Sequence, residues 1–195
     1  MDQALARLQA WFKDSSRRLP PAVPIVDDGF VIFGYRYPSG AFVSDREDDA
    51  EALFEDPRSP SARPGSRAPH LIVGRAGEEM STIDLFAGKW VLFSGPEGHA
   101  WPEIARRTPD AAALGVACCG LQPAGDLADV QHRWPATSRL DGDGAVLIRP
   151  DGFVAWRRGN AHGEAQADLD AACKRLLAAH DRSGRGTASV TGGRR

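Results

Sequence analysis

Ala145-Val146-Leu147-Ile148-Arg149-Pro150-Asp151-Gly152-Phe153-Val154-Ala155-Trp156 reads as a β-hairpin. Two apolar runs of strand length flank Arg149-Pro150-Asp151-Gly152, where proline at the second place and glycine at the fourth suit a type I turn. Upstream, Val116-Ala117-Cys118-Cys119 is an apolar run of the kind expected for a buried, central strand, and Lys89-Trp90-Val91-Leu92-Phe93 is another strand. Between those two, Ser94-Gly95-Pro96-Glu97-Gly98 breaks the chain and Trp101-Pro102-Glu103 opens a helix with proline at an early position, interrupted at Pro109. Asp126 is placed to cap a short helix through Val130. Downstream of the hairpin, residues 165–180 carry Leu169, Cys173, Leu176, Leu177 and His180 on one stripe, the mark of a final covering helix.

The order strand, helix, strand, helix, hairpin, helix is the thioredoxin arrangement: a parallel βαβ unit, an antiparallel pair and a last helix over the sheet. The expected fold class is therefore α/β, a thioredoxin-like mixed sheet flanked by helices, with an extended N-terminal arm. The compact domain is assigned to residues 67–180. It opens with a short strand, His70-Leu71-Ile72-Val73, turned by Arg75-Ala76-Gly77, and a connecting turn from Thr82 to Phe86. Residues 1–66 make the arm. There, residues 3–13 place Leu5, Leu8 and Phe12 on one helical face, Pro20, Pro21 and Pro24 force an extended stretch, and Phe30 to Tyr37 reads as a strand rich in aromatic and β-branched residues. Asp45, Glu47, Asp48, Asp49, Glu51, Glu55 and Asp56 form an acidic run, read as a solvated loop or covering arm, with an acidic docking surface as the alternative. Residues 181–195, mostly Gly, Ser, Thr and Arg, read as a flexible tail.

A chain of 195 residues can bury one substantial core with an appended arm. Its hydrophobic fraction of 42%, charged fraction of 26% and net charge of −2 are those of an ordinary globular protein, with no general pull toward nucleic acid or an anionic membrane. Met1-Asp2-Gln3 has neither a basic nor an apolar leader region, and no apolar run approaches the roughly 18 residues that span a bilayer, so a cytoplasmic location is expected. Three cysteines, two of them adjacent, do not make a disulfide framework.

The search for chemistry returns absences. In a thioredoxin-like protein the reactive sulfur follows the first strand of the βαβ unit, at a helix amino terminus that lowers the thiol pKa. The corresponding loop, Ser94 to Trp101, contains no cysteine, and Cys118 and Cys119 fall on the strand expected to be interior, so a redox-inactive domain is expected. His70, His99, His132, His162 and His180 show no metal-ligand spacing. Asp141-Gly142-Asp143-Gly144 resembles the start of a calcium loop, but apolar residues follow and no glutamate closes it. No Gly-x-Gly-x-x-Gly turn is present to hold a dinucleotide. His70, Ser81 and Asp84 lie close in sequence without a strained nucleophile turn, and Asp84 reads as fixing the turn before Leu85-Phe86. No catalytic, cofactor-binding or metal-binding residue is assigned.

Three stretches nevertheless have a specific character in combination: Gly34-Tyr35-Arg36-Tyr37-Pro38-Ser39, the region from Pro64-Gly65-Ser66-Arg67-Ala68-Pro69-His70 to Ser81-Thr82-Ile83-Asp84-Leu85-Phe86, and Gly144 to Arg157. Together they resemble the C-terminal thioredoxin-like domain of FAD-dependent aromatic-ring hydroxylases of the phenol and polyketide hydroxylase type. The resemblance implies residues that shape the domain and seat it against the rest of an enzyme, while hydroxylation belongs to a flavin-bearing region not represented here. FAD is thus expected only in a partner or in a missing domain. Locally, Arg67 and His70 are expected to pair with acidic groups, Arg149 with Asp151 to fix the turn, and Trp156 to pack under the last helix. Three functions follow as alternatives: an accessory or scaffold domain acting by contact with a flavin hydroxylase or as a homodimer; a module binding an aromatic ligand; or an enzyme of a biosynthetic pathway with an unrecognised site.

Overall fold

The computed structural model describes residues 28–44, 53–86, 88–121 and 127–186. The helix expected over residues 3–13 and most of the acidic run, Asp45 to Glu51, lie outside the described residues, as do Asp126 and residues 187–195 of the tail.

A four-stranded sheet forms the centre. Strand β3 (Val91–Ser94) runs parallel to β4 (Ala117–Gly120) and antiparallel to β5 (Ala145–Ile148), which pairs antiparallel with β6 (Val154–Arg158), giving the order β4-β3-β5-β6. The hairpin that joins β5 to β6 is closed by the Gly152 amide donating to the Arg149 carbonyl at 2.9 Å, the bond of the expected turn. The crossover from β3 to β4 is built of α3 (Trp101–Arg106) and α4 (Pro109–Ala113), each with a proline in its first turn, where the missing N–H costs nothing. The closing helix α6 (Ala165–Gly186) continues past the expected end near residue 180. The fold is thus the mixed α/β sheet with flanking helices that the order of elements implied.

Strands β3 and β5 are buried on both faces, so neither shows polar alternation. Leu92, Leu147 and Trp156 face one layer, with Trp101 and Ala105 of α3 and Leu169, Cys173 and Leu176 of α6. Val91, Phe93, Val146 and Ile148 face the other, with Leu71, Val73, Phe86, Leu127 and Trp134. Trp156 packs as expected, its ring 5.9 Å from that of Trp101 in an edge contact. The two most deeply buried indoles are satisfied at one place: Trp101 Nε1 donates to the Asp143 carbonyl at 2.7 Å and Trp134 Nε1 to the Asp141 carbonyl at 3.0 Å.

Several expectations are corrected. Phe30 to Tyr37 is not a strand: α1 (Asp28–Gly34) is helical, and only Tyr35 makes a bridge, with Phe54. Strand preference in β-branched residues expresses packing on a pleated surface, and among the described residues no neighbouring strand runs beside this segment. Val116 to Cys119 is not interior, because β4 is the outer strand of the sheet and Ala117 and Cys118 are exposed. An apolar run of small residues need not be buried when their side chains offer little area. Leu127 and Ala128 are extended, in bridges to Leu121 and Gly74, in place of the helix expected from Asp126 to Val130. The strand near Ile72 gains an unforeseen partner: β1 (Ile72–Arg75) and β2 (Glu78–Ser81) form a separate hairpin around Ala76-Gly77, both with positive φ (52° and 89°). That is the two-residue turn compatible with strand twist, made here with alanine where asparagine would give the sequence signal. The connecting turn after it is one turn of helix, α2 (Thr82–Phe86), and a further short helix, α5 (Trp134–Ser138), precedes β5.

Leu147 is fully buried between its two neighbouring strands and α6, so Leu147→Ala should lower unfolding stability by about 2–5 kcal/mol. Urea denaturation followed by tryptophan fluorescence measures it, and a change under 1 kcal/mol, taken as roughly the cost of a single lost methylene, would contradict this packing.

Candidate functional site

The loop after β3, where a reactive thiol was sought, is packed shut. The Gly95 amide donates to the Gly144 carbonyl at 3.0 Å and the Glu97 amide to the Gly142 carbonyl at 2.8 Å. A Cβ at Gly95 would stand 2.4 Å from the Gly142 carbonyl oxygen and 2.5 Å from Trp134 Nε1, so glycine is required there by space alone. The three thiols lie elsewhere. Cys118 is exposed on β4, and desolvation by the surrounding chain, followed by the adjacent Cys119, raises its pKa above the ordinary thiol value. Cys173 is buried in α6, where burial, followed by the charges of Asp110 and Asp170, pushes its pKa up to about 12. Raised values are the opposite of thiolate activation.

The ionisable side chains are engaged in structure. Arg149 pairs with Asp151 at 2.5 Å and fixes the hairpin turn as expected. Asp143 Oδ2 accepts the Ala161 amide at 3.1 Å and faces His162 Nε2 at 3.3 Å, tying the β5 entry to the β6 exit. Arg67 departs from expectation: it pairs with no acid among the described residues, and its guanidinium lies over the Phe153 ring at 5.0 Å with Nε donating to the Ile32 carbonyl at 3.3 Å. His70 is likewise exposed without an acidic partner among the described residues. Ser81 Oγ accepts the Ile83 amide at 3.1 Å, and no hydrogen bond joins Ser81, His70 and Asp84 among the described residues. No group of three metal-ligating side chains converges among them either.

What the fold does assemble is a surface. Residues of α1 are held against the hairpin by a run of aromatic edges: Phe30 to Phe54 at 6.2 Å, Phe54 to Tyr35 at 5.9 Å, Tyr35 to Tyr37 at 5.4 Å and Tyr37 to Phe153 at 4.7 Å between centroids. Gly34 makes this approach possible, since a Cβ there would stand 2.2 Å from the Glu55 carbonyl oxygen. Once seated, α1 turns Val31, Ile32 and Phe33 outward, 42%, 55% and 59% exposed. Phe33 and Ile83 of α2, itself 59% exposed, stand on the wall of one cleft of about 790 Å³, bounded by residues 55–60, 67–72, 131–137 and 150–152. The sequence reading missed this surface, because its walls come from separate segments and the α1 residues were assigned to a strand.

The family described as aromatic-ring hydroxylase, C-terminal, matches residues 61–179. The chain belongs to that family. Aklavinone 12-hydroxylase RdmE of Streptomyces purpurascens is 38% identical over 167 residues, covering 83% of this chain and 30% of that protein. Tetracenomycin A2 monooxygenase-dioxygenase of Streptomyces glaucescens is 35% identical over 191 residues, covering 96% of this chain and 32% of that protein. Among solved structures, aklavinone-11 hydroxylase in a ternary complex with FAD and aklavinone superposes with a TM-score of 0.68 at 36% identity, over 78% of this chain and 28% of that one. The chain therefore spans just under a third of the length of these hydroxylases. The relation seen in the three sequence stretches is shown, and the matched region includes both β-hairpins and most of α6. Among the described residues, no helix is long and apolar enough to cross a membrane.

In the folded chain iodoacetamide should modify Cys118 well before Cys173, as read by peptide mass spectrometry; early labelling of Cys173 would contradict its burial. Its raised pKa also sets a pH dependence. Stability from the protonated Cys173 thiol is fully present below the ordinary value of 9.0 and is lost as pH rises through the folded value of about 12. Across that window Cys173→Ala should lose less stability than the unsubstituted chain, and parallel losses would remove the assignment.

Proposed function

We propose that this domain acts as a non-catalytic accessory to flavin-dependent aromatic hydroxylation, by contact with a flavin-bearing hydroxylase region that carries FAD and the substrate. The observation that carries the reading is the exposed apolar face of α1, Val31, Ile32 and Phe33, continued by Ile83. Three adjacent large apolar side chains turned outward mark a surface adapted for burial against protein. Family membership supports the nature of the partner. The relative in the ternary complex holds FAD and aklavinone in a chain of which this one matches 28%. The closed loop after β3 and the raised thiol values support a contact role over thiol chemistry.

On this reading the isolated chain purifies colourless and retains no FAD. Mixed with a flavin hydroxylase from which the region matching residues 61–179 has been removed, it should co-elute with flavin absorbance in size exclusion coupled to light scattering. Ile32→Asp with Phe33→Asp should weaken that complex by about 100-fold or more, since each places a charge on buried apolar surface, without changing thermal stability by more than about 1 kcal/mol. A yellow chain with stoichiometric flavin, or a complex indifferent to the double substitution, would overturn the proposal.

A further inference from the structure

The cleft beside α1 has a chemistry that a purely apolar contact does not require. Three guanidinium groups, those of Arg58, Arg67 and Arg133, line it together with the exposed imidazole of His70. Only two carboxylates share the lining, Glu55 and Asp151, and Asp151 is matched by Arg149 at 2.5 Å. Glu55 Oε2 in turn accepts a hydrogen bond from Ser61 Oγ at 2.5 Å, so it points toward its own chain. Arg58 and Arg133 make no side-chain hydrogen bond or ion pair among the described residues, although Arg58 follows Asp56 closely and its backbone amide donates to that carboxylate at 2.9 Å. The 57–60 loop and the α5 region that carry these two arginines are tied together where Arg139 Nη2 donates to the Ser59 carbonyl at 3.2 Å and to Ser59 Oγ at 3.1 Å. The apolar part of the wall includes Ile72, Ile83, Phe86 and Phe33.

We infer that this cleft binds a small organic anion with an apolar, ring-sized body. Its apolar body would rest on Ile72, Ile83 and Phe86, and its carboxylate or phenolate would be taken by Arg58 and Arg133. Two physical features carry the assignment. The volume of about 790 Å³ falls within the ~300–1,000 Å³ of small-molecule sites and exceeds what one inserted side chain fills. The side chains of Arg58 and Arg133 have no carboxylate partner among the described residues, and a guanidinium takes a planar oxyanion in a fixed, bidentate geometry. The site needs no flavin and no partner, so it stands apart from the docking reading, with Phe33 and Ile83 common to both.

The test uses the full chain, labelled with ¹⁵N and titrated with 2-naphthoate and, separately, with the neutral 2-naphthamide of the same shape. Saturable amide shifts are expected at Ile83, Arg133 and Gly152, with 2-naphthamide binding roughly tenfold more weakly or worse, since it lacks the charge-assisted contact. The Arg58→Gln, Arg133→Gln double variant should lose roughly tenfold in 2-naphthoate affinity while keeping its affinity for 2-naphthamide. Both arginines are exposed and hold nothing in the fold, and the comparison of the two probes on the unsubstituted chain decides the point even if the variant folds poorly. Absence of saturation, equal affinity for the two probes, shifts confined to the outer α1 face, or a double variant that binds 2-naphthoate unchanged would each overturn the inference.

Discussion

Burial of β3 and β5 on both faces is the constraint on which the rest of the structure depends. Val91, Leu92 and Phe93 on one strand and Val146, Leu147 and Ile148 on the other are all at most 2% exposed, so each face of the sheet must carry a complete cover. Helices α3, α4 and α6 supply one cover, and the β1–β2 hairpin with α2 and α5 supplies the other. Trp101 from the first layer and Trp134 from the second both hydrogen-bond to carbonyls of residues 141–143 at the entry to β5. The position of that turn is thereby set from both sides of the sheet, and it in turn closes the loop after β3.

The outer edge of the sheet at β6 imposes the second requirement. The Gly65 amide donates to the Val154 carbonyl and the Val154 amide to the Ser66 carbonyl, both at 2.8 Å, so residues 64–68 cover an edge that would otherwise expose unpaired backbone. Tyr37 is linked to the same strip, its amide donating to the Gly65 carbonyl at 2.9 Å, and Arg149 lies over its ring at 5.3 Å. The aromatic run from Phe153 to Phe30 follows from this attachment and fixes α1 with its apolar side outward. The exposed face and the cleft are therefore consequences of edge protection, which is why surface and fold cannot be altered independently at Gly34, Gly65 or Tyr37.

Much of the central domain is legible in the chain because its signals are local. Pro150 and Gly152 announce the hairpin turn, Pro102 and Pro109 mark helix starts, and the spacing of Leu169, Cys173 and Leu176 marks the covering face of α6. Reading failed where the deciding partner was distant. Phe30 to Phe33 has strand composition but lacks a neighbouring strand among the described residues, and Val116 to Cys119 has buried-strand composition but lies at the edge. The turn at Arg75-Ala76-Gly77 was legible, but the strand that returns from it, Glu78–Ser81, was not, because its polar residues carry no strand signal. At the candidate site, Arg67 was singled out for an acidic partner and instead lies over an aromatic ring. Arg58 and Arg133 gave no reason for attention, and Ile83 only as part of the stretch Ser81 to Phe86, until the fold brought them to one cleft.

By itself the sequence determined the family, the succession of the four sheet strands with the crossover and closing helices, and the lack of a cysteine in the loop after β3. These depend on residue identity and on spacings of a few positions, where backbone geometry translates pattern directly into structure. Only the tertiary structure decided which strand lies at the edge, which apolar residues face solvent, and which charges go unanswered. Exposure and charge balance are properties of what else comes near, and here the neighbours arrive from positions as distant as Phe33, Arg58, Ile83 and Arg133.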